Sequence, residues 1–158
     1  MNEINRIKNT KYDIFINGMS IILLCGMFLF LILNWGSFPG KIPAHYNFAG
    51  EIDRWGDKSE LWICPILSVI LFVVLTALEF FPQLWNTGVQ ITDENQGRVY
   101  RILKNMLVTL KGVTVGVFTF LTVSSALVKP MPVWFLPVFL LLLFGSLAVN
   151  LLRLVNAK

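Results

Sequence analysis

Apolar side chains in this sequence come in long unbroken runs. They follow neither the three-to-four-residue stripe of a helix lying on a core nor the alternation of a half-buried strand. The stretches "IILLCGMFLFLIL", "ILSVILFVVLTAL" and "FLPVFLLLLFGSLAV" carry no polar face. A helix rises about 1.5 Å per residue and the hydrocarbon core of a bilayer is about 30 Å thick, so apolar runs of about 18 residues or more read as membrane crossings. Four qualify: Ile14–Trp35, Leu61–Phe81, Met106–Leu127 and Met131–Leu152. Strands of a membrane barrel would alternate, and these do not. The expected fold is all-α and integral to the membrane, an up-and-down bundle of four transmembrane helices, because the Val128–Pro130 link is too short to join anything except antiparallel neighbours. An outer loop over 36–60 and a cytoplasmic helical extension over 93–105 complete a single membrane domain over 1–158.

Charge refines the picture. Only 14% of the 158 residues are charged and 56% are hydrophobic, about half the charge of an ordinary soluble domain. The formal net charge is +4, but the cations sit at span ends and do not gather on one face, which excludes a nucleic-acid partner. Arg6, Lys8, Lys11, Arg98, Arg101, Lys104, Arg153 and Lys158 lie on one side of the spans and Lys41, Arg54, Lys58 and Lys129 on the other. That bias predicts cytoplasmic N- and C-termini in a multi-pass inner-membrane protein. The first apolar run is too long for a cleaved signal, so it is expected to stay as an anchor. Cys25 and Cys64 fall at different depths and are expected to be free thiols.

Helix ends and interruptions are also legible. Asp57 or Ser59, followed by Glu60, can cap the second helix. Thr92, with Asp93 and Glu94 in the first turn, predicts a third helix over 93–127 about 52 Å long. Pro65 and Pro137 each remove a backbone bond and predict kinks. Gly112 and Gly116 stand four apart, a spacing that lets helices approach closely in lipid, either within the chain or in a homodimer.

Polar groups inside the spans are costly and are expected to pair. Asn17, Glu79, Lys104, Lys111 and Asn150 are predicted to form one polar cluster toward the cytoplasmic side. Within it Lys111 reaches Glu79, either as a structural ion pair or as part of a path for an ion.

The remaining polar stretch, "GKIPAHYNFAGEIDRWGDKSEL", lies between the first two spans. "KIPAHYNF" alternates, placing Ile42, Ala44, Tyr46 and Phe48 on one face and His45 and Asn47 on the other, and "EIDRW" can return after the "AG" turn either as a second short strand or as an irregular arm. Trp35, Phe38, Tyr46, Phe48, Trp55 and Trp62 are predicted to form an aromatic collar at the outer interface. Pro43, His45, Tyr46, Asn47, Gly50, Asp53 and Trp55 are the candidate ligand-binding or loop-structuring residues. The pattern Pro43-x-His45-Tyr46-Asn47-x-x-Gly50-x-x-Asp53 resembles the signature of a bacterial membrane domain of unknown function, the 1648 type. That domain forms the N-terminal part of proteins similar to the immunity protein for the sporulation-delaying-protein toxin. The resemblance implies shielding against a secreted toxic peptide and signalling of its presence through a cytoplasmic repressor. The full immunity protein is expected to carry further membrane helices beyond four.

One histidine among scattered carboxylates lacks the spacing of a zinc or calcium site, so no metal and no cofactor is expected. Nor is there a nucleophile with a positioned base, a phosphate loop or a pair of intramembrane carboxylates, so no catalytic residue is assigned. The primary expectation is a non-enzymatic membrane protein of immunity or sensing type, with membrane lipids around it and a secreted peptide or lipid-like ligand on its outer loop. The alternative is a small transporter, or a transporter accessory subunit, that uses Glu79 and Lys111.

Overall fold

The computed structural model describes residues 7–157; Arg6 and Lys158, both part of the orientation argument, lie outside the described residues. Helix α1 (Lys11–Asn34) runs into a 3-10 turn, Trp35–Ser37. A β-hairpin follows, β1 (Lys41–Tyr46) and β2 (Ile52–Asp57), and a 3-10 turn over Lys58–Trp62 leads into α2 (Ile63–Glu79). Helix α3 (Gln96–Ala126) is the longest. The last span is α4 (Phe135–Leu140), a π-turn (Leu141–Gly145) and α5 (Ser146–Val155).

Four helices, Lys11–Ser37, Lys58–Glu79, Gln96–Ala126 and Phe135–Val155, are long and apolar enough to cross a membrane. Their burial is the reverse of a water-soluble core. Ile14, Phe15, Ile22, Leu33 and Leu141 are exposed, whereas Asp13, Ser20, Ser68, Lys104, Lys111 and Asn150 are buried. Such a surface is stable against hydrocarbon, where a backbone satisfied within each helix and an apolar exterior are required.

Helix α3 is the centre of the arrangement. Helices α1, α2 and α5 all pack on it, while α1 and α2 touch each other far less. The spans are therefore organised around one helix, α3. Three local differences stand out. Helix α3 starts at Gln96, three residues after Asp93, because Thr92 and Asn95 exchange side-chain to backbone hydrogen bonds of 2.8 and 3.2 Å and set the first turn. The last span starts at Phe135, after Pro132, and not at Met131. Its irregularity is the π-turn that follows Pro137; Pro65 sits third in α2, where a missing N–H matters little.

The two ends of the helices are built differently. At one end, where the described residues of the chain begin and end, Leu154 and Ala157 pack with Val99, Ile102 and Leu103, and Trp85, Val89 and Ile91 of the 80–95 connection pack against them. At the other end sits the hairpin, over the core of Leu31, Phe38, Ile42, Leu61 and Ala126. Asp57 caps the turn into α2, and its N–H donates to Glu60 Oε1 at 3.1 Å.

Candidate functional site

The hairpin pairs antiparallel, Ile42 opposite Gly56 and Pro43 opposite Trp55, with bulges between Pro43 and Tyr46. Alternation is broken at Pro43: Ile42 and Pro43 are both buried and Ala44 and Tyr46 are half-buried, while His45 is exposed. Phe48 departs from the expectation. It is 95% exposed, because the chain turns at Asn47 and the strand face no longer exists there.

Asn47 builds that turn. Its side-chain oxygen accepts from the N–H of Ala49 at 2.9 Å and of Glu51 at 3.0 Å, and its amide donates to Glu51 Oε2 at 3.0 Å. Gly50 then takes φ +83°, a conformation that costs a residue with a Cβ about 1–2 kcal/mol. A Cβ at Gly50 would also lie 2.4 Å from the Met131 carbonyl oxygen. Only glycine lets the turn approach this closely.

Three bonds fasten the hairpin to the end of α3 and the link after it. Ser125 Oγ donates to the Pro43 carbonyl at 2.5 Å, Tyr46 Oη donates to the Lys129 carbonyl at 3.1 Å, and the Met131 N–H donates to the Gly50 carbonyl at 2.8 Å. Burial of the Tyr46 phenol pushes its pKa up to about 12. The link can receive the hairpin because Val128 adopts φ 54° and closes the C-terminus of α3, with the Lys129 N–H returning to the Ser124 carbonyl at 3.0 Å.

Between hairpin and helices lies a cleft of about 570 Å³. Pro43, His45, Tyr46, Asn47, Gly50 and Asp53 all line it, so the structure brings six of the seven candidate loop residues to one cavity wall. The opposite wall comes from Leu121, Thr122 and Phe135, with Cys64 at the start of α2. His45 Nδ1 and Asp53 Oδ1 pair at 2.6 Å, and Arg54 pairs with Glu60 at 3.0 Å while also donating to the Ala44 carbonyl at 3.3 Å. Trp55 is exposed and is not among the lining residues. The aromatic collar divides: Trp35 meets Phe38 edge-on and lies tilted against Trp62, its centroid 5.5 Å from that of Trp62, with Lys58 over the Trp35 ring. Tyr46, Phe48 and Trp55 are separate from that group.

The intramembrane polar residues form two sites and not one cluster. Lys111, fully buried, pairs with Glu79 and donates to Thr76 Oγ1 at 3.0 Å. Lys104 instead donates to the Ile7 carbonyl at 3.0 Å and to Asn9 Oδ1 at 2.6 Å, 4.0 Å from Asp13. Asp13 is fully buried and pairs with Arg101 at 2.8 Å, and Arg101 also donates to the Lys8 carbonyl. Asn150 bonds only its own helix, to the Ser146 carbonyl at 2.8 Å, and Asn17 is half-buried on α1 without joining either site. Asp13 and Arg101 are absent from the sequence expectation. The available signal was Thr10-x-x-Asp13, a reciprocal cap in which the Thr10 N–H donates to Asp13 at 2.9 Å.

Gly112 packs within the chain, its missing Cβ leaving room for Ile16 at 2.7 Å. Gly116 opens instead onto a second groove of about 370 Å³ between α1, α3 and α4. Cys25 and Cys64 are free thiols. Among the described residues no group of three or more His, Cys, Asp or Glu could hold a metal ion.

The hairpin and the helix ends that flank it form one sequence-continuous unit, from the middle of α1 to the first turns of α2. Residues 22–69 match the model of a family described as Domain of unknown function (DUF1648). The matched segment therefore contains the entire hairpin, the His45–Asp53 pair and Cys64, while α3 and α4 supply the other wall of the cleft from outside it. An uncharacterized protein of Archaeoglobus fulgidus is 29% identical over 76 residues, 43% of this chain and 42% of the relative, so the chain spans well under half of that relative's length. No solved structure matches this chain.

Proposed function

We propose that this protein is a non-enzymatic cell-membrane protein of immunity or sensing type, whose hairpin cleft faces the extracytoplasmic side and binds a peptide or lipid-like ligand. One observation carries the reading. The motif residues of the hairpin converge on a single cleft of about 570 Å³, within the about 300–1,000 Å³ that suits one small ligand. The orientation rests on the excess of Lys and Arg at the termini end. At the cleft His45 contacts Asp53, and the reading takes the site to bind without turnover.

The test is a deletion strain challenged with secreted antimicrobial peptides and complemented with variants. His45→Ala and Asp53→Ala should abolish protection, and Glu79→Gln should retain it. Protection that survives both hairpin variants would overturn the reading. The transporter alternative draws on a different observation: two buried ion pairs, Lys111 with Glu79 and Asp13 with Arg101, lie toward the termini end of the spans. Solute or proton flux in vesicles that depends on Glu79 and not on His45 would favour it.

A further inference from the structure

We infer that the occupant of the hairpin cleft is a zwitterionic amphiphile from the surrounding leaflet, its hydrocarbon chain in the cleft and its headgroup at the rim. This rests on the proposal that the cleft is a binding site and names the ligand class.

The hydroxyl hydrogens of the interior are already donated. Ser125 donates to Pro43, Thr122 Oγ1 donates to the Phe118 carbonyl at 2.8 Å, and Tyr46 donates to Lys129. The adjoining backbone is equally engaged: Pro43 has no N–H, and the Ala44 and Gly50 carbonyls accept from Arg54 and Met131. An extended peptide would bring one N–H and one C=O per residue into this space, and each group left unpaired costs on the order of 1–3 kcal/mol. A hydrocarbon chain brings none. The magnitudes therefore favour a lipid chain over a peptide backbone.

The rim selects the head. With His45 neutral, Arg54 stands against Asp53 and Glu60, a net charge of −1. An anionic head alone is disfavoured there, whereas an ammonium beside a phosphate can meet both signs. Access is lateral: the cleft lies between the hairpin and the first turns of α2 and α4, and Ile63 and Val133 at its edge are 50% and 81% exposed. Those side chains continue the apolar surface of the spans into the cleft, so a chain can pass from the leaflet without crossing water.

Cys64 lines the cleft and reports its occupancy. The Cys25→Ser protein is placed in nanodiscs of phosphatidylcholine, of phosphatidylglycerol, or of phosphatidylglycerol with an added amphipathic cationic peptide. The N-ethylmaleimide alkylation rate of Cys64 is then compared with that of an exposed reference thiol, Ser37→Cys, measured in a protein lacking Cys25 and Cys64. Relative to phosphatidylglycerol, phosphatidylcholine should slow Cys64 about fivefold and leave the reference unchanged, as expected when most clefts are filled. Asp53→Asn should remove much of that protection. Equal rates in the two lipids with protection by the peptide would overturn the amphiphile and keep the binding site. Stronger protection in phosphatidylglycerol would overturn the headgroup assignment. No protection in any of the three would overturn both the amphiphile and the binding site.

Discussion

The two ends of the molecule solve the same problem, holding α1 and α2 on α3, with opposite chemistry. At the termini end the fasteners are buried charges: Lys111 with Glu79, and Asp13 with Arg101. At the hairpin end they are hydroxyls and backbone carbonyls from Ser125, Tyr46 and Gly50, and the ion pairs there are exposed. Buried ion pairs are expensive to break, because a charge left alone in hydrocarbon has no solvent to fall back on. Neutral hydrogen bonds at a wetter boundary contribute about 0.5–1.5 kcal/mol each and can be exchanged for water. The termini end is thus the costlier of the two to disrupt, and the hairpin end the cheaper.

That contrast orders the expected mutant effects. Glu79→Ala leaves Lys111 buried without its carboxylate and should cost about 3–5 kcal/mol in detergent or nanodisc unfolding. The double variant with Lys111→Ala should recover part of the loss, and strict additivity would count against the pair. Asp13→Ala strips Arg101 of its partner and Thr10 of its reciprocal cap, for a loss of about 2–3 kcal/mol. A drop smaller than that of the hairpin variants would reverse the comparison. Gly50→Ala comes next, at about 1–2 kcal/mol from the left-handed backbone alone, with the clash at Met131 added. Its specific signature is faster hydrogen exchange at the Met131 amide, which loses its Gly50 acceptor.

Tyr46→Phe should be the mildest, about 0.5–1.5 kcal/mol, because it removes one hydrogen bond and no volume to speak of. It also carries a pH signature. The Tyr46 phenol is raised in the folded protein to about 12 from an ordinary 10.0. The folded state therefore holds its proton more tightly than the unfolded state. Its contribution is fully present below pH 10 and is lost as pH rises toward about 12. Tyrosinate absorbance should show a component near 12 that is absent in Tyr46→Phe. The lack of any such component would detach Tyr46 from the buried face.

The sequence made the spans legible because lipid imposes a length and forbids a polar face, and both are visible in "IILLCGMFLFLIL". Lys111 with Glu79 was readable for a related reason: a charge in a span must find a partner, and few were on offer. The hairpin strands followed from the alternation in "KIPAHY". What stayed hidden depends on contacts distant along the chain. Nothing near Asp13 points to Arg101, 88 residues away, and the docking of the hairpin on residues 125–131 uses mainly main-chain acceptors, which any residue type supplies. The centrality of α3 is similarly hidden, since four apolar runs look equivalent until packing makes one of them share its faces with the other three.

The account depends most on the hairpin and the termini lying on opposite sides of the bilayer. Single cysteines at His45 and Asn156, in a protein lacking Cys25 and Cys64, can be exposed in intact cells to a membrane-impermeant maleimide. Position 45 should label at once and position 156 only after permeabilisation. Equal labelling of both positions in intact cells would contradict the arrangement.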